Sequence, residues 1–196
     1  HTKSEGCVEN PANDTILIKF VNADDIEIFP REMIGLDKYT PAQREKFVEA
    51  FSKELKGLAD IGTFGIVPDD NRKGAIPLKN VYKVKYDASG NLVKYKVRTT
   101  LLGYRQKKGY DFFSTFSPTG RLTAFRLILI IAVFFGLDIW HSDIPQAFLA
   151  SLMDVKGMRA LLPDGGYYRN AAGRLSKLVS LVRALHGSTQ APQLFT

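Results

Sequence analysis

The sequence holds a single cysteine, Cys7, and a single tryptophan, Trp140, among 196 residues. One cysteine excludes an internal disulfide. It also argues against a zinc site built on thiolates, which needs several. Such cysteine usage fits a reducing compartment. An apolar leader is missing as well. The chain opens His1-Thr2-Lys3-Ser4-Glu5, neither apolar nor a starting methionine, so a fragment of a longer chain is expected. The longest apolar run, Leu127 to Leu137, falls short of the roughly 20 residues that cross a bilayer. No membrane partner is expected. Acidic residues are in the minority, 20 against 27 Lys and Arg, for a net charge of +7. That balance favours an anionic partner such as nucleic acid, although a merely basic surface reads the same way.

What is present is an ordinary globular composition, 45% hydrophobic, enough for one domain with a sizeable core. Residues 1–14 are polar and turn-rich and are expected to be loose. Thr15 to Val21 reads as a short strand, and Asp24 to Asp37 carries no firm signal. Residues 1–38 are therefore left as an N-terminal segment or linker. A helix then opens clearly, with Thr40 as N-cap, Pro41 in the first helical position and Gln43 completing a capping box. Phe47, Val48, Phe51, Leu55 and Leu58 share one face, and Gly57 and Gly62 are expected to end the segment. Thr63 to Val67 is a strand candidate, followed by a polar loop from Pro68 to Gly74.

The clearest local pattern is a β-hairpin. Val81 to Tyr86 and Leu92 to Thr99 alternate, with Ser89-Gly90 between them as a turn. If Lys85 pairs with Lys94 and Lys83 with Lys96, one sheet face collects Lys83, Lys85, Lys94, Lys96 and Arg98. The opposite face then collects Tyr82, Val84, Tyr86, Val93, Tyr95 and Val97. Like charges directly opposite each other destabilise a sheet, so a face that gathers them is better explained if it meets an anion. The plainer alternative is a solvated outer face, where lysine also guards against edge pairing.

Arg105, Lys107 and Lys108 extend the basic stretch into an aromatic-rich loop, Tyr110 to Phe116. Arg121 to Phe135 predicts a helix that is apolar nearly all round, which implies burial on most sides. Gly136 should stop it. Leu137 to Ser142 reads as a short strand ending at Asp143, and Pro145 opens a helical turn carrying Phe148 and Leu149. Strands are expected near Met158 to Leu162 and Leu175 to Leu181, with turns at Pro163-Asp164-Gly165-Gly166 and Asn170 to Gly173. No internal repeat, low-complexity tract or domain boundary is visible after residue 38.

Five pieces from Tyr39 onward occur in one order. They are Glu54-Leu55-Lys56 with Gly62-Thr63-Phe64; Val81-Tyr82-Lys83-Val84-Lys85-Tyr86 with Tyr95-Lys96-Val97-Arg98; and Gly103-Tyr104-Arg105-Gln106-Lys107-Lys108-Gly109-Tyr110-Asp111. Then come Thr115-Phe116-Ser117-Pro118 with Arg121-Leu122-Thr123, and Asp143-Ile144-Pro145-Gln146-Ala147-Phe148-Leu149. Together they resemble the reverse transcriptase domain of copia-type retrotransposons, an RNA-directed DNA polymerase, over about residues 39–196. Leu185-His186-Gly187-Ser188-Thr189-Gln190-Ala191-Pro192 is similar to a further motif of that family.

The resemblance implies an α+β fold, a right-hand polymerase fingers and palm fragment. Its antiparallel sheet would be backed by the 40–56 and 121–135 helices, with the basic hairpin projecting. It implies that Asp143 is the first catalytic carboxylate and a ligand for Mg²⁺ (or Mn²⁺), with Ile144 offering its backbone carbonyl. The residues alone favour Asp143 as a cap of the following helical turn, and the resemblance reverses that reading. The resemblance further implies that Lys96 and Arg98 hold the nucleotide triphosphate, while Phe148 packs under the sugar and excludes a 2′-hydroxyl. Gln190 would lie against the template–nucleotide pair, and Lys83, Lys85 and Lys94 would meet the nucleic-acid backbone. Core packing for Phe148 and an ordinary polar loop for Gln190 stay open. Implied partners are an RNA or DNA template–primer, deoxynucleotides and the integrase and RNase H of a polyprotein, in an intracellular particle or the nucleus.

Several positions depart from the family pattern: Pro145 for Lys, His186 for Tyr, Gln193 for Arg, Phe195 for Trp, and no acidic run over 150–160. The paired-aspartate turn, thumb and RNase H of the family would follow Thr196. The two-metal site is thus expected to be incomplete, and the chain inactive as a polymerase alone. The alternative is a non-catalytic nucleic-acid-binding remnant of such an element.

Overall fold

A computed structural model describes residues 5–8, 16–69, 71–170 and 172–196. The expectation of a loose start over residues 1–14 lies outside them except at Glu5–Val8, where a paired strand replaces it. Strands β1 (Glu5–Val8) and β2 (Ile16–Lys19) pair antiparallel. Strand β3 (Ile26–Ile28) follows; the segment around it, silent in the sequence, contributes Ile26, Met33 and Leu36 to the core, beside Val21.

Helix α1 spans Pro41–Asp60, and its start is the capping box read from the sequence. The Gln43 N–H donates to Thr40 Oγ1 at 3.4 Å, and the Thr40 N–H donates to Gln43 Oε1 at 3.1 Å. The expected stop at Gly57 does not occur. The helix runs on to Asp60, and only Gly62, at φ +75°, turns the chain. A helix-interior glycine costs about 1 kcal/mol. Burial of Leu58 and Ala59 just beyond it offsets that cost.

Strand β4 (Phe64–Ile66) precedes the long hairpin of β5 (Ile76–Tyr86) and β6 (Leu92–Leu101). After it come α2 (Leu122–Phe135), β7 (Arg159–Leu161), β8 (Gly166–Arg169), β9 (Leu175–Ser176), β10 (Leu178–Leu181) and α3 (Ala191–Phe195). The main sheet has the order β4-β10-β7-β5-β6, antiparallel except for the parallel pair of β5 with β7. A smaller sheet, β3-β8-β9, lies within the same core. The architecture is mixed α and β, and α1 closes one face of the sheet. Phe47 stacks edge-on with Tyr82 at 5.3 Å and with Tyr95 at 4.9 Å.

Two expectations need correction. Helix α2 forms where its composition predicts and ends on Gly136 in the left-handed region, φ +63°. It is not buried, however. Val133 and Phe134 are each 80% exposed, and only Ala132 in the helix is buried. Its apolar faces meet no sheet among the described residues. The run Leu137 to Ser142 is not a strand either. It has no strand pairing, and Trp140 is 91% exposed. A strand exists only through a neighbour's hydrogen bonds, and no described strand pairs with this run.

Candidate nucleotide and nucleic-acid site

The hairpin pairs Lys83 with Lys96, Lys85 with Lys94 and Val81 with Arg98. Because side chains alternate across a strand, this register puts the five cations on one face and leaves Tyr82, Tyr95 and Val97 against α1. The turn is held by Asp87, whose carboxylate accepts the backbone N–H groups of Ser89 (2.9 Å) and Asn91 (2.8 Å). Near the base of β6 the Glu54 carboxylate reaches over from α1 and accepts the Thr99 N–H at 3.2 Å. Burial pushes the Glu54 carboxyl up, against the opposing pull of the Thr99 N–H, Lys96 and Arg98. Lys96 is held below the usual lysine range by desolvation and by the neighbouring charges of Arg98 and Lys85.

The Leu185-to-Pro192 motif returns to this base. The Leu101 N–H donates to the His186 carbonyl at 2.8 Å. The two loops approach so closely that a Cβ on Gly103 would fall on the Gly187 carbonyl, and one on Gly187 would fall on that of Leu101. The His186 ring, half-buried, stacks edge-on against Phe148 with centroids 5.2 Å apart. Phe148 sits on the 3₁₀ turn Ala147–Ala150. Arg183 anchors that turn, donating to the carbonyls of Ile61 (2.9 Å) and Leu149 (3.1 Å). Burial, with the charges of Arg98 and Lys96, lowers the His186 pKa. His186 thus touches Phe148 on one side and feels the charges of Arg98 and Lys96.

Gln190 is placed elsewhere. It is fully buried, accepting from Gln106 Nε2 at 2.9 Å and donating to the Asp111 carbonyl at 2.9 Å and to Asp154 Oδ1 at 3.3 Å. Asp143 and Ile144 are exposed in the irregular stretch before Phe148. Their carboxylate and carbonyl oxygens are the hard donors that Mg²⁺ prefers. Among the described residues, however, no three His, Cys, Asp or Glu side chains gather into a metal-binding group. The donors present do not make a two-ion site.

His186, Arg183 and Glu54 hold the hairpin base and Gln106 holds the neighbouring loop; of these, sequence reasoning notes only His186 individually, as a departure from the resembled motif, and assigns none a role in the site. The signal for His186 was available: a titratable ring stands at a motif position where the resembled family carries tyrosine. The other three act through contacts distant in sequence.

Residues 61–196 match the family described as reverse transcriptase (RNA-dependent DNA polymerase). The chain is 31% identical over 77% of its length to the retrovirus-related Pol polyprotein from transposon TNT 1-94 of Nicotiana tabacum. It is 28% identical over 76% of its length to that from transposon RE1 of Arabidopsis thaliana. It covers 11% and 10% of those polyproteins. An uncharacterized mitochondrial protein of Arabidopsis thaliana is 32% identical over 43% of the chain and 49% of that protein. No solved structure matches. The chain belongs to the reverse transcriptase family, and its polyprotein relatives are those of copia-type plant transposons.

Proposed function

We propose that this chain is the nucleotide-gripping, fingers and palm part of an RNA-directed DNA polymerase, working within a transposon polyprotein on an RNA or DNA template–primer. The observation that carries the proposal is the hairpin register, which sets Lys96 and Arg98 on one face with Lys83, Lys85 and Lys94, beside a loop in which His186 stacks on Phe148. Arg98 offers a planar fork to phosphate oxygens and Lys96 a mobile point charge, a pairing suited to a triphosphate. Phe148, braced by His186, presents an apolar edge on which a deoxyribose packs and against which a 2′-hydroxyl is left unpaired. Lys83, Lys85 and Lys94 continue the positive face along the hairpin, where a nucleic-acid backbone would run. Asp143 and the Ile144 carbonyl are the chain's contribution to divalent-metal binding, of the kind that reverse transcriptase domains generally use.

The test is a titration of the purified chain with labelled deoxynucleotide and ribonucleotide triphosphates. The deoxy form should bind more tightly. Arg98→Ala should weaken both by about tenfold or more, the worth of a charge-assisted hydrogen bond. Phe148→Ala should remove the preference between them. Equal binding of the two sugars by the unaltered chain, or indifference to Arg98→Ala, rejects the reading. Because no further carboxylates gather with Asp143 into a metal-binding group among the described residues, the chain with Mg²⁺ should not extend a primer. Template-dependent extension that Asp143→Asn abolishes would contradict this.

A further inference from the structure

The loop leaving β6 has no part in the nucleotide grip, yet it is built rigidly. Gln106 is its buried pin. Its Nε2 donates to Gln190 Oε1 at 2.9 Å, and its Oε1 accepts from the Thr189 N–H (2.7 Å) and hydroxyl (2.8 Å). A second lock follows. The Lys107 N–H donates to Asp111 Oδ2 at 2.7 Å, and the Asp111 N–H returns to the Lys107 carbonyl at 2.8 Å. Gly109, at φ +85°, allows the turn between them, and its N–H donates to the Phe112 carbonyl at 2.8 Å.

With the polar interior of the loop so committed, its other side chains point out. Tyr104 and Tyr110 are each 79% exposed. Among the described residues neither ring meets another aromatic ring, and the exposed side chains of Arg105, Lys107 and Lys108 form no ion pair. Oδ2 of the Asp111 carboxylate accepts the Lys107 N–H, and among the described residues no carboxylate pairs with Arg105, Lys107 or Lys108. Two bare rings are therefore held out among three cations that nothing on the loop neutralises.

A protein partner explains this poorly, because interface centres are depleted in lysine. A duplex explains the cations but not the rings, since its base faces are already stacked. A single strand presents both charged phosphates and free base faces, and aromatic rings interleaved with Lys and Arg are how such strands are bound without sequence preference. We infer that Tyr104 and Tyr110, with Arg105, Lys107 and Lys108, form a stacking platform for single-stranded nucleic acid. It is separate from the nucleotide grip and holds unpaired template by its bases. The inference rests on the proposed function, in that the chain must handle nucleic acid at all.

The experiment measures binding of the full chain to fluorescent strands of roughly 15 nucleotides. The probes are an oligouridine, a matched RNA duplex, and an abasic strand with the same phosphate backbone. Tyr104→Ala and Tyr110→Ala should each weaken oligouridine binding by about tenfold, the loss typical of one stacked base. Duplex and abasic binding should stay within twofold, and Tyr104→Trp and Tyr110→Trp should bind as the unaltered chain does. Both tyrosines are exposed, and circular dichroism verifies that the variants fold. Alanine variants that bind oligouridine as well as the unaltered chain overturn the platform and leave the proposed function standing. So does an abasic strand that the unaltered chain holds as tightly as oligouridine. If the unaltered chain binds no strand at low salt, both readings fall.

Discussion

Replacing Gln190 by alanine separates two roles that the family motif and the geometry assign to it. A side chain touching the template–nucleotide pair would lose nucleotide affinity on truncation and leave the fold as stable as before. The structure instead has Gln190 fully buried, bonded to Gln106, to the Asp111 carbonyl and to Asp154. Asp154 is exposed and takes water in place of the lost amide. Gln106 Nε2 is less fortunate, being left with the Asp111 carbonyl at 3.4 Å and the Met158 sulfur at 3.6 Å. Two short buried hydrogen bonds are thereby lost, at up to about 1.5 kcal/mol each. A total of up to about 3 kcal/mol follows. For a chain of this size that lowers Tm by about 6–12 °C, at about 2–4 °C per kcal/mol. Thermal melts of Gln190→Ala, Gln106→Ala and the double variant measure it. The two single losses should sum to more than the double loss by over about 0.5 kcal/mol, because both break the same bond. A Gln190→Ala Tm within about 1 °C of the unaltered chain, together with weakened nucleotide binding, would refute the reasoning.

Three further outcomes are expected. Gly103→Ala drives a Cβ into the Gly187 carbonyl and must part the two loops joined by the Leu101–His186 bond. It should cost about 2–3 kcal/mol in urea denaturation, and an unchanged midpoint contradicts the close approach. Glu54 has its pKa raised by burial, so the folded state holds its proton more tightly than the unfolded one. That contribution is complete below the unfolded pKa and is lost as pH rises through the folded one. Glu54→Gln keeps an acceptor for Thr99 and should gain stability relative to the unaltered chain between about pH 4 and pH 7; parallel pH profiles would show otherwise. Val133→Lys and Phe134→Lys, at positions 80% exposed, should shift the unfolding free energy by less than about 0.5 kcal/mol. They should also reduce self-association in sedimentation, since exposed apolar patches associate. A loss of 2 kcal/mol or more would mean that α2 packs on its own chain.

What was legible in the sequence follows from how far the deciding contacts lie. The Thr40 capping box closes over three residues, and the register of Lys83 with Lys96 is fixed by a turn only a few residues away. Both were read correctly because the chemistry that sets them is local. Burial of α2 was misread because an apolar surface shows that a helix wants a partner, not that the described chain supplies one. The same holds for Leu137 to Ser142, whose β propensity has no neighbouring strand to act on. The site divides in the same way. Spacing along one strand puts Lys96 and Arg98 on a common face, while their role at a site rests on the family resemblance. Gln106 and Gln190 meet 84 positions apart in sequence, and each reads alone as a loop residue. A buried amide pair leaves no periodic trace, because its partners are chosen by the approach of Gly103 to Gly187. That approach depends on two absent side chains, and an absent Cβ is informative only once the opposing backbone is known to occupy its place.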